Sequence, residues 1–326
     1  ITNRQETLRR IFNDTKPNAV ITEFWPLGRT NSDVELSPFM SFIDSGPHRP
    51  IIFSLERDVL LTQKTREQVA GEDFRTDRRI VNTNRFIDEV IVRGDESVFQ
   101  LQDTLPEAIG IERPIFYAGY FASPLPERTN MSEEKREVVV SAGGGYRPQD
   151  KQLYLAAIAA RTHTSLDERT WRLLITPNCP ENVFKEITAV ANETSSKIIV
   201  ERNKSSSEFK QLLSDCALSI SQGGYNTTIE VATGDAPAVI VPAMDHSGRE
   251  KNEQSFRAKR FEEMNLLSVV EQDQANAPYA FAQTIELAML QQRKKQDVQV
   301  AHFRLEGAKR AAGKIVERLK EKRANV

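Results

Sequence analysis

The chain has 326 residues, more than one hydrophobic core usually supports, so two domains are the natural expectation. Its 44 Lys and Arg nearly cancel 46 Asp and Glu, leaving a formal charge of −2, and no basic cluster interleaved with aromatics calls for nucleic acid. No apolar run reaches the length of a bilayer span and no signal peptide is visible; Cys179 and Cys216 are too few for a disulfide framework or a zinc site, and the four histidines show no ligand spacing. A cytoplasmic setting and no metal or other cofactor held by the protein are therefore expected.

In chain order, Glu6 to Asn13 reads as a helix with Leu8, Ile11 and Phe12 on one face, broken by Pro17 before a strand at Ala19 to Thr22. The loop EFWPLGR follows at the strand's carboxyl end, with Glu23 and Arg29 as polar candidates. A helix near Glu35 to Asp44 leads to a strand at Ile51 to Leu55, whose loop offers Glu56, Arg57 and Asp58. A helix near Val81 to Ile87, a strand at Glu89 to Arg93 and a strand at Ile115 to Ala118 complete the first half. Strands alternating with helices at this spacing predict a parallel sheet covered on both faces. Ser123 to Lys135 combines prolines, charge and few apolar residues, as an interdomain linker should.

The second half opens with Glu137 to Val140 running directly into Gly143, Gly144 and Gly145; Pro148 is then expected at the first position of a helix continuing through Leu153, Ala156, Ala157 and Ala160. This is not a Walker A loop, because no Gly-Lys-Ser/Thr follows. A strand at Trp171 to Thr176, a helix near Glu181 to Asn192, a strand at Lys197 to Glu201 and a helix near Ser206 to Ser214 lead to Ala217 to Ile220, a short buried strand. It ends in Ser221, Gln222, Gly223 and Gly224, and a helix carrying Asn226, Thr227 and Glu230 follows until Gly234. Strand, glycine turn and helix start together make an anion site, since the first helical N–H groups lack internal partners and carry the positive end of the dipole. Paired glycines at such a turn also occur without any ligand, so the order of the later elements matters. Ala238 to Val241 is a further strand, a polar loop carries Asp245 and His246, and a helix starting near Glu250 brings Glu253 and Gln254 into its first turns. Leu266 to Val270 reads as the last strand, followed by a helix near Pro278 to Arg293 and a final helix with Leu305, Ala308, Ala312, Ile315 and Leu319 as its apolar stripe.

The succession SQGG, a helix with its Glu, then VPAMDHSGREKNEQ resembles the donor half of GT-B glycosyltransferases, most of all the family of the bacterial transferase that adds N-acetylglucosamine to the lipid-linked peptidoglycan precursor. In the first half ITEFWPLGR, RPIIFSLERDVL, VIVRGDESVF and IFYAGYFASP are similar to a group of predicted bacterial glycosyltransferases of that fold. The resemblance implies two Rossmann-like α/β domains: an acceptor-side domain over 1–122, a linker over 123–135, and a donor-binding domain over 136–326 whose final helix crosses back onto the first or stays on its own. It also implies a front segment of the type GLGHxxR that these residues lack, so the first domain is expected to be truncated. By the same resemblance, Gly143 to Gly145 and Ser221 to Thr227 face the diphosphate of a nucleotide sugar, with UDP as the expected nucleotide. Glu230 contacts the ribose, Glu253 and Gln254 read the sugar, His246 lies near the phosphates, and the base sits by the loop around Arg202. The implied activity is metal-independent transfer of the sugar to an acceptor that is a small molecule, a glycan or lipid-linked, with peripheral membrane contact left open. A hydrolase or epimerase of the same fold, or a silent nucleotide-sugar-binding protein, are the alternatives. No general base is assigned; Glu23 and Asp58 are the candidates the first half offers.

Overall fold

The computed structural model of the protein describes residues 2–60, 77–148, 150–202, 204–243, 252–295 and 303–324. They form two compact units, Ile1–Phe121 with Arg304–Val326, and Ala122–Phe303. Among the described residues no helix is long and apolar enough to cross a membrane.

The first unit carries a parallel sheet in the order β1 (Ala19–Glu23), β2 (Ile51–Arg57), β3 (Glu89–Arg93) and β4 (Ile115–Tyr117). Alternation along the strands gives each face its own core, as the two-residue period requires. Ile52, Val90 and Val92 pack with Phe12, Phe39, Met40, Ile43, Ile80 and Phe86 of the helices Thr2–Thr15, Asp33–Asp44 and Arg78–Phe86. Ile51, Phe53 and Ile91 turn to the other face, where Ala311, Ile315 and Leu319 of the helix Gly307–Ala324 cover them.

That last helix corrects the expected stripe. Ala308 and Ala312 are exposed, whereas Gly307 and Ala311 are buried and Ile315 and Leu319 half-buried. The phase is set where the chain returns: the Gly307 N–H donates to Tyr120 O at 2.8 Å, the Tyr120 N–H to Arg304 O at 2.7 Å and the Arg304 N–H to Asp95 Oδ2 at 2.9 Å. Gly119, at φ +90°, lies so close to the Arg304 backbone that no side chain fits. Ala311 is 4 % exposed. Ala311→Asp is therefore expected to cost about 3 kcal/mol or more, the range for an uncompensated buried charge, read as a drop in the urea midpoint; an unchanged midpoint would mean that this helix does not seal the face.

The second unit holds a six-stranded parallel sheet in the order β10 (Ser268–Val269), β9 (Ala238–Ile240), β8 (Leu218–Ser221), β5 (Val138–Ser141), β6 (Trp171–Ile175) and β7 (Ile198–Arg202). Val138, Val140, Leu173, Ile175, Leu218 and Ile220 point into one core with the helices Asp150–Arg161, Glu181–Thr194 and Pro278–Lys295. On the opposite face of β6 Arg172 is held between Glu137 at 2.5 Å and Glu201 at 2.9 Å. Both units thus have the α/β class and the parallel sheets expected from the alternation of elements.

Two local expectations change. The segment proposed as a linker is bonded to the second unit: Arg128 donates to Ser214 O at 2.8 Å and Cys216 O at 2.7 Å, Thr129 N–H donates to Asp215, and Leu125 packs against Gly234. The helix after the triple glycine begins at Asp150 rather than at Pro148, because the Asp150 carboxylate accepts the Arg147 N–H at 2.8 Å and closes the turn before it.

Candidate functional site

The strand order of the second unit contains one reversal. From β5 the chain steps outward to β6 and β7, then returns to the other side of β5 as β8 and proceeds to β9 and β10. β5 and β8 are parallel neighbours with Ser141 beside Ser221, so the loops leaving their carboxyl ends diverge from one point. In open α/β sheets this is where a crevice forms and where ligands bind.

Both loops are built on glycine for a geometric reason. Gly143 has φ +88° and Gly223 φ +74°, left-handed conformations that other residues rarely adopt. Around Gly143, Gly144, Gly145 and Gly224 an added Cβ would meet nothing within 4 Å, so the backbone here borders open space. Gly223 differs: a Cβ would lie 2.7 Å from Ile240 Cγ2, which packs the turn onto β9. The β5 loop is pinned at both ends. Tyr154 Oη lies 3.1 Å from the Ala142 N–H that donates to it, and Thr176 Oγ1 donates to Gly144 O at 2.8 Å. Burial pushes the Tyr154 hydroxyl far above its ordinary range, so it acts as a neutral donor to Leu174 O at 2.7 Å.

After Gly224 the helix Tyr225–Thr233 starts with no side chain capping its N-terminus. Its first turn, with Asn226 exposed and Thr227 half-buried, therefore presents backbone N–H groups and the positive end of the dipole at the crevice. Gln254, on the helix Asn252–Glu263, comes to the same place: its Cβ is 4.0 Å from the point where a Cβ on Gly223 would stand, and its Oε1 accepts the Ala243 N–H at 3.1 Å. Glu253, one residue earlier, accepts from Arg257 at 3.1 Å. Glu230 lies in the second turn of its helix, 8 % exposed. Burial raises its carboxyl above the ordinary range, opposed by Lys210, whose Nζ is 3.5 Å away.

Not every expected residue gathers here. The Arg202 side chain is turned toward the loop after β6, donating to Cys179 O at 2.9 Å and Glu181 at 2.9 Å and stacking on Phe184, three strands from β8. His246, like Asp245, lies outside the described residues. In the first unit Glu23 is exposed and paired with Arg29 at 3.7 Å, while Asp58 is fully buried and accepts the Val59 N–H at 2.9 Å. Among the described residues no group of three His, Cys, Asp or Glu could hold a metal ion.

Arg147 and Asp150 were missed by sequence reasoning. Arg147 joins the two loops, its Nη2 donating to Gln222 Oε1 at 2.5 Å and its Nε to Asp150 at 3.1 Å. Burial raises the Asp150 carboxyl, with Arg147 and Gln222 opposing it. An acidic residue three positions after Arg147 could have signalled the helix start, but the partner 75 residues away could not.

Residues 154–315 match the family model of the glycosyltransferase family 28 C-terminal domain. A search of curated proteins gave no match. Among solved structures, the chain is similar to the MurG protein of Acinetobacter baumannii, at 12 % identity and TM-score 0.59 over 96 % of this chain and 77 % of that one. It is similar to CalG4, the calicheamicin glycosyltransferase, at 14 % identity and TM-score 0.60 over 98 % and 80 %. It is also similar to a UDP-GlcNAc 2-epimerase of Neisseria meningitidis bound to UDP-GlcNAc, at 12 % identity and TM-score 0.56 over 89 % and 75 %.

Proposed function

We propose, from the premise that this chain has a GT-B fold with a family 28-like glycosyltransferase C-terminal domain, that it transfers a sugar from a nucleotide diphosphate sugar to a glycosyl acceptor. The observation that carries this reading is the pair of glycine loops on adjacent strands β5 and β8, opening beside an uncapped helix start. Such an arrangement suits the diphosphate: amides of Gly143 to Gly145 and of the turn Ser221 to Thr227 take its oxygens, and the dipole of Tyr225–Thr233 offsets the charge that develops on the leaving group. In this proposal the diphosphate is stabilised by these groups without a protein-held metal. Glu230 takes the ribose hydroxyls, Glu253 and Gln254 the sugar hydroxyls, and Arg147 holds the two loops at fixed separation. UDP is the proposed nucleotide, supported by the epimerase neighbour that binds UDP-GlcNAc. The base is proposed to sit by the loop around Arg202, held by backbone groups, since the Arg202 side chain is itself engaged with the loop after β6. Both cysteines are buried free thiols, which suits a reducing compartment such as the cytoplasm.

Transfer requires that the proton of the acceptor hydroxyl go to a general base. An epimerase is the second reading, favoured by that same neighbour, and a hydrolase of the same fold is its variant. Donor turnover separates them: release of the nucleoside diphosphate that requires an acceptor supports transfer, release in water alone supports hydrolysis, and an altered sugar on intact donor supports epimerisation. Binding without any turnover would leave a silent nucleotide-sugar-binding protein.

Glu230 gives a direct check of the donor site. Glu230→Ala is expected to weaken UDP binding by about 1 to 3 kcal/mol, the cost of leaving buried polar groups without a partner. Titration calorimetry measures it, and unchanged affinity removes Glu230 from the site.

A further inference from the structure

In the first unit the turn after β1 closes over a buried carboxyl group. Glu56, near the carboxyl end of β2, is fully buried. Its Oε1 lies 2.5 Å from Ser54 Oγ and 3.4 Å from the Leu27 N–H that donates to it, while Oε2 has no hydrogen-bond partner among the described residues. Ser54 Oγ is also 2.8 Å from Trp25 O, and Thr22 Oγ1 is 2.6 Å from the same carbonyl oxygen and 3.3 Å from Phe53 O.

Each hydroxyl has one hydrogen to give. That of Thr22 goes to Trp25 O, the nearer of its two acceptors. If Ser54 gave its hydrogen to an ionised Glu56, its oxygen would face the Trp25 carbonyl oxygen at 2.8 Å with only lone pairs between them. If Ser54 instead donates to Trp25 O, the short contact to Glu56 needs a hydrogen from the carboxyl group. A neutral Glu56 satisfies both contacts of Ser54 Oγ, and an orphaned Oε2 costs far less on a neutral acid than on a buried anion.

We infer that Glu56 is a protonated latch: as a neutral acid it ties the turn 25–28 to β2 through Ser54, and loss of its proton releases that turn and one wall of the cavity beside it. The cavity measures about 520 Å³ and is lined by Pro26, Thr30, Asn31, Asp33, Arg78 and Asn82 among others. Trp25 couples the turn to its opposite wall, since its Nε1 donates to Asp33 Oδ1 at 3.0 Å and Asn82 donates to the same oxygen at 2.7 Å. Glu56 is thus a positioning residue for the carboxyl edge of the first unit. It acts within that unit alone, so failure of UDP binding in the second unit leaves it standing.

The electrostatics agree in sign. Burial pushes the Glu56 carboxyl up to about 7, against the lowering effects of Ser54, the Leu27 amide, Arg93 and the Gly28 amide. Among the described residues, Arg93 is the charged group facing it from β3, Arg57 follows it on its own strand and Asp58 comes just after that strand; the turn supplies backbone amides, with Glu23 and Arg29 paired at its ends. Because the folded pKa lies above the ordinary 4.5, the folded state keeps a proton that the unfolded chain gives up. Its contribution to stability is complete below the ordinary value and is lost as pH rises through about 7.

Intrinsic fluorescence and thermal unfolding of the whole chain from about pH 5 to about pH 9 test the latch. Trp25 reports on the turn, whereas Trp171 donates to a backbone carbonyl, that of Leu166, and contributes a constant background. In the wild type the emission is expected to shift to the red and the Tm to fall with a midpoint near neutrality. Glu56→Gln, which has the same shape and does not titrate, should keep the acid-side signal throughout. A flat wild-type profile, or the same transition surviving in Glu56→Gln, overturns the inference. If that variant does not fold, infrared titration of the wild type decides: a protonated carboxylic C=O stretch that disappears near neutrality supports the latch, and its absence at mildly acid pH overturns it.

Discussion

Replacing Gly223 with valine is expected to lower UDP affinity by on the order of 100-fold, about 2.7 kcal/mol. Two effects act together. The residue sits at φ +74°, where a β-branched side chain is strained by about 1 to 2 kcal/mol. Its Cβ would also approach Ile240 Cγ2 to 2.7 Å, and because Ile240 is a fully buried residue of β9 the turn must move rather than the strand. That movement shifts the start of Tyr225–Thr233 away from β9, and the amides that we assign to the diphosphate lose their common focus. Gly313→Ala is the control, since an added Cβ there, on the helix Gly307–Ala324 of the first unit, meets nothing within 4 Å and belongs to no element assigned to the diphosphate. It should retain most of the binding. Calorimetry on both variants reads the difference, and equal affinity in Gly223→Val and the wild type would falsify the placement of the nucleotide at this crevice.

Trp171→Ala should be the most destabilising single change in the second unit, at about 3 to 5 kcal/mol. Trp171 opens β6, has no exposed surface, and packs within the core that runs from Val138 to Ala288. Its Nε1 donates to Leu166 O at 3.0 Å, so truncation leaves both a cavity and a carbonyl without its donor. Urea unfolding measures the loss. A cost under about 1 kcal/mol would mean that the surrounding helices collapse onto the space and that the core is less tightly packed than its burial indicates. Trp171→Phe separates the two contributions, because it refills most of the volume and restores no hydrogen bond.

The crevice and the latch differ in how far they can be read from residues alone. Gly143 to Gly145 and Gly223 to Gly224 are legible as turns because glycines between an apolar run and a helical stretch mark a change of chain direction; that four of them border open space is not legible. Glu253 and Gln254 were legible only in sequence position; that Gln254 lies against Gly223 follows from the path of the chain between β9 and its helix. Glu56 looked like one polar loop residue among three. Its role depends on complete burial and on Ser54, Trp25 and Leu27 meeting around it, and hydropathy carries no sign of that for an acidic side chain at a strand end.

Local pattern by itself determined the strands, the helices and the glycine turns of this protein, because side-chain periodicity and backbone conformational preference act over a few residues. Long-range packing set the rest: β8 returns beside β5 rather than beside β7, Arg147 meets Gln222, and the helix Gly307–Ala324 covers β2 and β3 with Ala311 rather than Ala312. The physical reason is that strand order, helix phase and ion partners are settled by contacts between residues tens to hundreds of positions apart, whose energies exist only after the chain has closed those loops and excluded water from between them.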